Sequence, residues 1–196
     1  VAPTGYGKST LQNAVKFYGI KPIKKLSTRI PRPNEYDSGE FIFCSKNEFK
    51  ILNNKNKLGV VYTYNQNLYA VSNDQINETI SSKKPHILTT SSIDSALKLK
   101  KLHPSHVHLI FMDMPFDYAG FGLEMRMVEC WEKLKDGNTF LIEKTLQNTK
   151  HRLNHVIEEY LNYKNNSGYA DTVLNGFTIK QNIEQLLDYV YKNKLK

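Results

Sequence analysis

The chain is short of several things, and each shortage excludes something. Two of its 196 residues are cysteine, Cys44 and Cys130. They lie far apart and show no metal-ligand spacing, which excludes a disulfide-stapled scaffold and a zinc module. Reduced thiols in a cytoplasmic protein are the expectation. No apolar run approaches the ~18 residues that a membrane-spanning helix needs, so no membrane partner is expected. There is no internal repeat and no low-complexity linker, which excludes a solenoid or a string of tethered modules. Acidic residues are outnumbered, 19 Asp and Glu against 27 Lys and Arg, for a net charge of +8. Such a balance suits nucleic acid, and it equally suits a polyphosphate substrate. The lysines are spread along the chain and not gathered in a tail, which favours the small polyphosphate. Length and a 40% hydrophobic content allow one domain with insertions around a substantial core.

Against these shortages stands one dense motif, Ala2-Pro3-Thr4-Gly5-Tyr6-Gly7-Lys8-Ser9-Thr10. It reads as a phosphate-binding loop that opens a helix. Gly5 and Gly7 allow a turn tight enough for successive N–H groups to face one anion. Lys8 would reach the β- and γ-phosphates of ATP, and the Ser9 hydroxyl would coordinate Mg²⁺. Thr4 to Thr10 are therefore the candidate ATP contacts. Ala2 stands where the first glycine of the pattern is usual. The spacing predicts a helix from Ser9 to Phe17 with Leu11, Val15 and Phe17 on its apolar face. Loops of this kind hang from the C-terminal end of a buried strand, and here Val1 alone precedes the loop. A short apolar run ahead of Val1 is expected.

The chain continues with Thr28-Arg29-Ile30-Pro31-Arg32-Pro33, held extended by its prolines. Arg29 and Arg32 can converge on one anion as paired guanidinium forks, or lie as two solvated surface arginines. Phe41 to Cys44 reads as a strand. Ser45 and Glu48 form a capping box for a helix reaching Leu52. Gly59–Tyr64 and Asn67–Val71 read as strands joined at Asn65-Gln66, followed by a helix over 72–82. His86–Leu88 and His106–Met112 read as strands flanking a helix from Ser92 to Lys101. His103, His106 and His108 are read as an exposed turn and a strand rim, without a further ligand motif that would make them a metal site. A helix is predicted over 149–163 from Leu153, Val156, Ile157, Tyr160 and Leu161. Thr172–Leu174 reads as a strand, and an amphipathic helix follows within 177–195.

In this order of features the chain resembles the guanylate kinase family. The resemblance rests on the phosphate loop, on Thr28-Arg29-Ile30-Pro31-Arg32-Pro33 at about the right separation, on Phe41 to Phe43, and on Asn67-Leu68-Tyr69. Weaker matches follow at Ser95 to Lys100, His151-Arg152-Leu153 and Val173-Leu174-Asn175. It implies an α/β fold, a P-loop kinase core in three layers around a parallel sheet. The core would comprise 1–26, 84–118 and 151–196, with a small mixed-β acceptor-binding insertion at 27–83 and a helical lid at 119–150. It implies transfer of a phosphoryl group from Mg²⁺·ATP to a nucleoside monophosphate, with small-molecule nucleotides as partners. Lys8, Arg29 and Arg152 would be catalytic. Arg29, Arg32, Phe41, Tyr69 and Ser92 would meet the acceptor, and Arg126 and Asn175 the ATP.

The departures from the family pattern concentrate on the base. Phe41 replaces a tyrosine whose hydroxyl touches the acceptor phosphate. A base-reading serine falls on or near Lys25, the guanine-reading glutamate on Val60, and an Asp-x-Asp on the run Thr89-Thr90-Ser91-Ser92. The lid segment offers only Arg126 among several lysines. Valine supplies no acceptor for guanine N1–H and its amino group, so specificity for GMP or dGMP is not implied. A kinase for another nucleotide, a kinase for another small phosphate ester, and a catalytically reduced binding module all fit these residues.

Overall fold

The computed structural model describes residues 1–3, 5–31, 39–113 and 158–195. Their strands form two parallel pairs and one mixed sheet of four. Strand β1 (Lys21–Pro22) lies parallel to β6 (His86–Ile87), and β7 (Ile110–Met112) lies parallel to β8 (Thr172–Leu174). The two pairs are joined through the first residues of the chain. The Val1 nitrogen donates to the Ile110 carbonyl, the Met112 N–H donates to the Val1 carbonyl at 2.9 Å, and the Ala2 N–H donates to the Thr90 carbonyl at 3.4 Å. Val1 and Ala2 thus stand between the β6 end and β7, as a strand would, and lead straight into the phosphate loop.

The mixed sheet has the order β3-β2-β5-β4. Strand β2 (Lys25–Ser27) is parallel to β3 (Phe41–Phe43) and antiparallel to β5 (Asn67–Ser72), which is antiparallel to β4 (Leu58–Tyr64). Asn65 and Gln66 turn the β4–β5 hairpin with φ of 47° and 61°, the primed geometry that matches the twist of the flanking strands. A bulge at the start of β4 surrounds Gly59, where a Cβ would come within 2.6 Å of the Ile76 side chain.

Helix α1 (Lys8–Val15) starts at left-handed Gly7. Helices α2 (Lys46–Asn54), α3 (Asn73–Ser81), α4 (Ile93–Leu102) and α6 (Ile179–Lys192) start at Ser45, Ser72, Ser92 and Thr178. Each of these side chains accepts the backbone N–H three residues on, which satisfies a donor the helix cannot. At Ser45 and Thr178 the box is closed by Glu48 and Gln181. Helix α5 is described over 158–166. One core cluster joins α1, β7, β8 and α6 through Leu11, Val15, Met112, Leu174 and Leu186, and a separate one lies under the mixed sheet around Leu26, Phe49 and Ala70.

The structure corrects three readings of the sequence. Phe17 is 92% exposed and sits in a short 3₁₀ turn, because α1 ends at Val15. In α5, Leu161 is exposed and Tyr163 takes the buried place, its ring tilted by 32° against Phe111 with 4.9 Å between centroids. The strand expected over 106–112 keeps only its last three residues. Its first half follows a turn in which the His106 and Val107 N–H groups both donate to the His103 carbonyl, and the Leu109 N–H goes to the Asp171 carboxylate. Burial pushes that carboxyl up, but this bond and Lys100 outweigh it and hold Asp171 below its ordinary range. The 119–150 lid segment, with the first part of the helix expected over 149–163, falls outside the described residues.

Candidate active site

Gly5 and Gly7 both adopt the left-handed backbone, φ 92° and 70°, that the loop motif requires. A Cβ at Gly7 would also meet the Ile179 side chain at 2.9 Å, so α6 closes over the loop from behind. Tyr6 is buried against the same core, and burial pushes its phenol up to about 12, with Tyr160 and Asp113 nearby adding to the effect. The Lys8 ammonium reaches back across the loop and donates to the carbonyls of Ala2 and Pro3 at 2.7 and 2.6 Å. An arriving polyphosphate would therefore meet a cation already held over the loop. Ser9 and Thr10 follow at the start of α1, both exposed. The Ser9 hydroxyl has no hydrogen-bond partner among the described residues. A hard cation prefers such oxygen donors, so the residues present fit Mg²⁺ beside a bound phosphate. A helix N-terminus built on two left-handed glycines adds the favourable dipole for an anion.

The second cluster lies on the mixed sheet. Arg29, Phe41 and Tyr69, separate in sequence, come together there. The Arg29 guanidinium stands 5.0 Å from the Phe41 ring centroid and 5.4 Å from that of Phe43. Phe41 meets Tyr69 edge-on at 6.3 Å, and Tyr69 stacks on its cross-strand partner Tyr62 at 5.3 Å. Burial pushes the Tyr62 phenol up to about 12, although its hydrogen bond to Thr90 opposes this. Aromatic faces under a guanidinium fix the direction of its fork. The Arg29 backbone is held by the Ser27 hydroxyl, and Thr28 bonds Leu68 in both directions, so this cluster sits on regular sheet.

Beneath it runs a buried polar chain. The Lys25 ammonium pairs with Glu40 at 3.0 Å and donates to the Thr89 carbonyl and hydroxyl at 2.9 and 3.3 Å. The Thr89 hydroxyl donates to Gln12 of α1 at 2.8 Å. This chain ties the mixed sheet to the phosphate-loop helix. Val60 is 2% exposed and packs in an apolar cluster with Val71 and Ile76.

Of the remaining residues singled out in the sequence, Ser92 is the cap of α4, its hydroxyl accepting from the Ser95 N–H at 3.2 Å. Asn175 follows β8 and exchanges hydrogen bonds with Gln185 of α6, both at 2.9 Å. Thr4, Arg32, Arg126 and Arg152 lie outside the described residues. The three histidines have separate surroundings: His103 caps α4, His106 bonds Ser105, and His108 bonds the Tyr189 hydroxyl. Sequence reasoning passed over Glu40, Gln12 and Asp113. Asp113 ends β7 and forms an ion pair with Lys164 at 2.7 Å. Its place after four apolar residues at the end of a buried strand was the available signal.

The family model described as guanylate kinase matches residues 1–120. The chain is 30% identical over 112 residues to a guanylate kinase of Halalkalibacterium halodurans, covering 56% of this chain and 54% of the relative. It is 35% identical over 83 residues to one of Cupriavidus pinatubonensis, covering 41% and 38%. The chain thus spans about half the length of the first of these curated relatives. The crystal structure of guanylate kinase from Anaplasma phagocytophilum superposes with a TM-score of 0.65 at 16% identity, covering all of this chain and 84% of that one, which shows the shared fold. With the family model matched over residues 1–120, more than half of the chain, this chain belongs to the guanylate kinase family.

Proposed function

We propose that the chain transfers the γ-phosphoryl group of ATP to a nucleoside monophosphate, and that guanine is not the base it selects. The observation that carries the first part is the loop itself, with Gly5 and Gly7 left-handed and the Lys8 ammonium over the carbonyls of Ala2 and Pro3. Phosphoryl transfer needs positioning and charge neutralisation more than proton chemistry. Lys8 and the N-terminus of α1 bind and orient the donor phosphates. Ser9 would hold Mg²⁺, which when bound neutralises phosphate charge. Arg29, set on Phe41 and beside Tyr69, grips the acceptor phosphate, with Arg32 completing the clamp and Arg126 and Arg152 closing from the lid side. The division into a core, an insertion at 27–83 and a lid at 119–150 belongs to the same reading.

The second part rests on Val60 and Thr89. Guanine presents two donors, N1–H and its amino group, and leaving such donors buried without acceptors costs roughly 1–3 kcal/mol each. Val60 offers no acceptor, and the Thr89 oxygens already receive the Lys25 ammonium. That ion pair supports a second reading, in which the acceptor is another small phosphate ester or a modified nucleotide. The test is coupled ADP release with Mg²⁺·ATP and each common ribo- and deoxyribonucleoside monophosphate. Turnover with an acceptor other than GMP or dGMP is expected. Preferred turnover with GMP would overturn the base reading, and ATP binding without turnover on any of them would turn the search to other esters. Absence of ATP binding would overturn the kinase reading altogether.

A further inference from the structure

Among the described residues the mixed sheet pairs no strand with either parallel pair, so side-chain contacts set how it stands to the phosphate loop. Its base is held. Val60 and Val71 pack with Ile76, and Ile23, Leu88 and Leu99 close on that cluster. Lys25 adds its bonds to Thr89. The β4–β5 hairpin runs from this base to its turn at Asn65 and Gln66. From Val60 to Tyr64 it extends about 13 Å, so a tilt of about 5° at the base would carry the turn end about 1 Å. The turn end is where Arg29 and Tyr69 are mounted. Tyr69 stands opposite Tyr62, and Leu68 opposite Thr63. Thr28 bonds Leu68 in both directions, and Arg29 follows it.

The turn end also has a hold of its own. The Tyr64 hydroxyl donates to the Glu159 carboxylate of α5 at 2.8 Å, and both side chains are half-buried. The Tyr64 ring meets Tyr69 edge-on at 6.4 Å. Glu159 lies one helical turn before Tyr163, on the edge of the face that α5 turns to the core. That face is firmly seated. Tyr163 is buried against Phe111, and Lys164 pairs with Asp113 at the end of β7. Tyr160 packs on the cluster that contains Ala2 and Tyr6 of the phosphate loop. One helix therefore touches the core of the loop with one side chain and the turn end of the mixed sheet with the preceding one. We propose that Glu159 is a positioning residue: by accepting from Tyr64 it fixes the turn end of the hairpin, and with it Arg29 and Tyr69, at a set place relative to the phosphate loop. This rests on the reading of Arg29 and Tyr69 as acceptor contacts. Phosphoryl transfer needs the attacking and leaving oxygens in line, and a misplacement of about 1 Å can cost about 100-fold in rate.

The test compares the whole wild-type chain with Tyr64→Phe, Glu159→Ala, their double variant and Glu159→Gln. Amide hydrogen exchange of the ligand-free proteins reads the hold itself. The Thr28 and Leu68 amides are expected to exchange about 10-fold faster in Tyr64→Phe and in Glu159→Ala, and no faster again in the double variant, since both changes remove one bond. Glu159→Gln keeps an oxygen acceptor and should recover most of the protection. The Phe111 and Leu186 amides, in the core, should not change. Coupled ADP release and calorimetry read the positioning, with the monophosphate turned over fastest among the common ribo- and deoxyribonucleotides. In Tyr64→Phe, kcat should fall about 10-fold while the Kd of that monophosphate holds, because its own contacts are intact. A Kd that weakens in step with kcat would show that Glu159 only braces the acceptor contacts, and would overturn the proposal. Wild-type exchange and kcat in Tyr64→Phe would overturn it as well. A wild-type chain that turns over no monophosphate removes the kinase reading, while exchange at Thr28 and Leu68 still decides whether Glu159 holds the hairpin.

Discussion

The phosphate loop and the mixed sheet answer differently to the same family pattern. At the loop, the family pattern stands in regular form: two left-handed glycines, one lysine over the loop, one exposed serine opening a helix. On the sheet, Arg29 keeps its aromatic seat, while the positions beneath it have changed character. A buried Lys25–Glu40 pair and an apolar Val60 stand where polar base contacts were expected. Phosphate is common to every acceptor of this class, whereas the base is what distinguishes one from another. The contrast between the two regions supports the proposed reading, phosphoryl transfer with a changed preference.

The sharpest way to break the comparison is at Lys25. Lys25→Met removes the ammonium that both Glu40 and Thr89 bond inside a buried site, and the expected loss of stability is about 3–5 kcal/mol. Urea unfolding measures it. The double variant Lys25→Met with Glu40→Leu should recover most of the loss, because the two charges cost more to bury singly than to remove together. A loss below about 1 kcal/mol in the single variant would mean that water reaches the pair.

Local signals made much of this legible. The loop opening a helix, the Ser45–Glu48 box and the Asn65-Gln66 turn are each set by residues close in sequence, and each is found as read. Family membership was legible too, from the loop and the arginine segment together. What escaped was set by partners far along the chain. Lys25 meets Thr89 across 64 positions and Leu109 meets Asp171 across 62, so no local pattern could show the buried pair or the shortened β7. Phe17 and Leu161 match the helical period, yet each lies just past the face that another element covers. Periodicity marks a candidate face, and only the tertiary neighbours decide how far along the helix that face stays covered.

Lys8 gives the smallest expected effect on the fold and the clearest on function, and so separates the two regions. Its ammonium bonds two carbonyls of its own loop, while the core beneath is held by Leu11, Val15 and their partners on α6. Lys8→Ala should leave Tm within a few degrees, since removing the half-buried Lys8 side chain opens the Ala2 and Pro3 carbonyls it covers to water. Turnover should fall by about 100-fold or more, the usual consequence of removing one fixed charge from a developing transition state. Binding of the monophosphate, measured separately by calorimetry, should be unchanged, because the proposed acceptor contacts, Arg29 and Tyr69, lie on the other region. A variant with wild-type turnover would remove Lys8 from the reaction. A variant that lost monophosphate binding as well would show that loop and sheet act as one site, and the contrast between a retained grip and an altered reader would have to be redrawn around Gln12 and Thr89, the residues that join them.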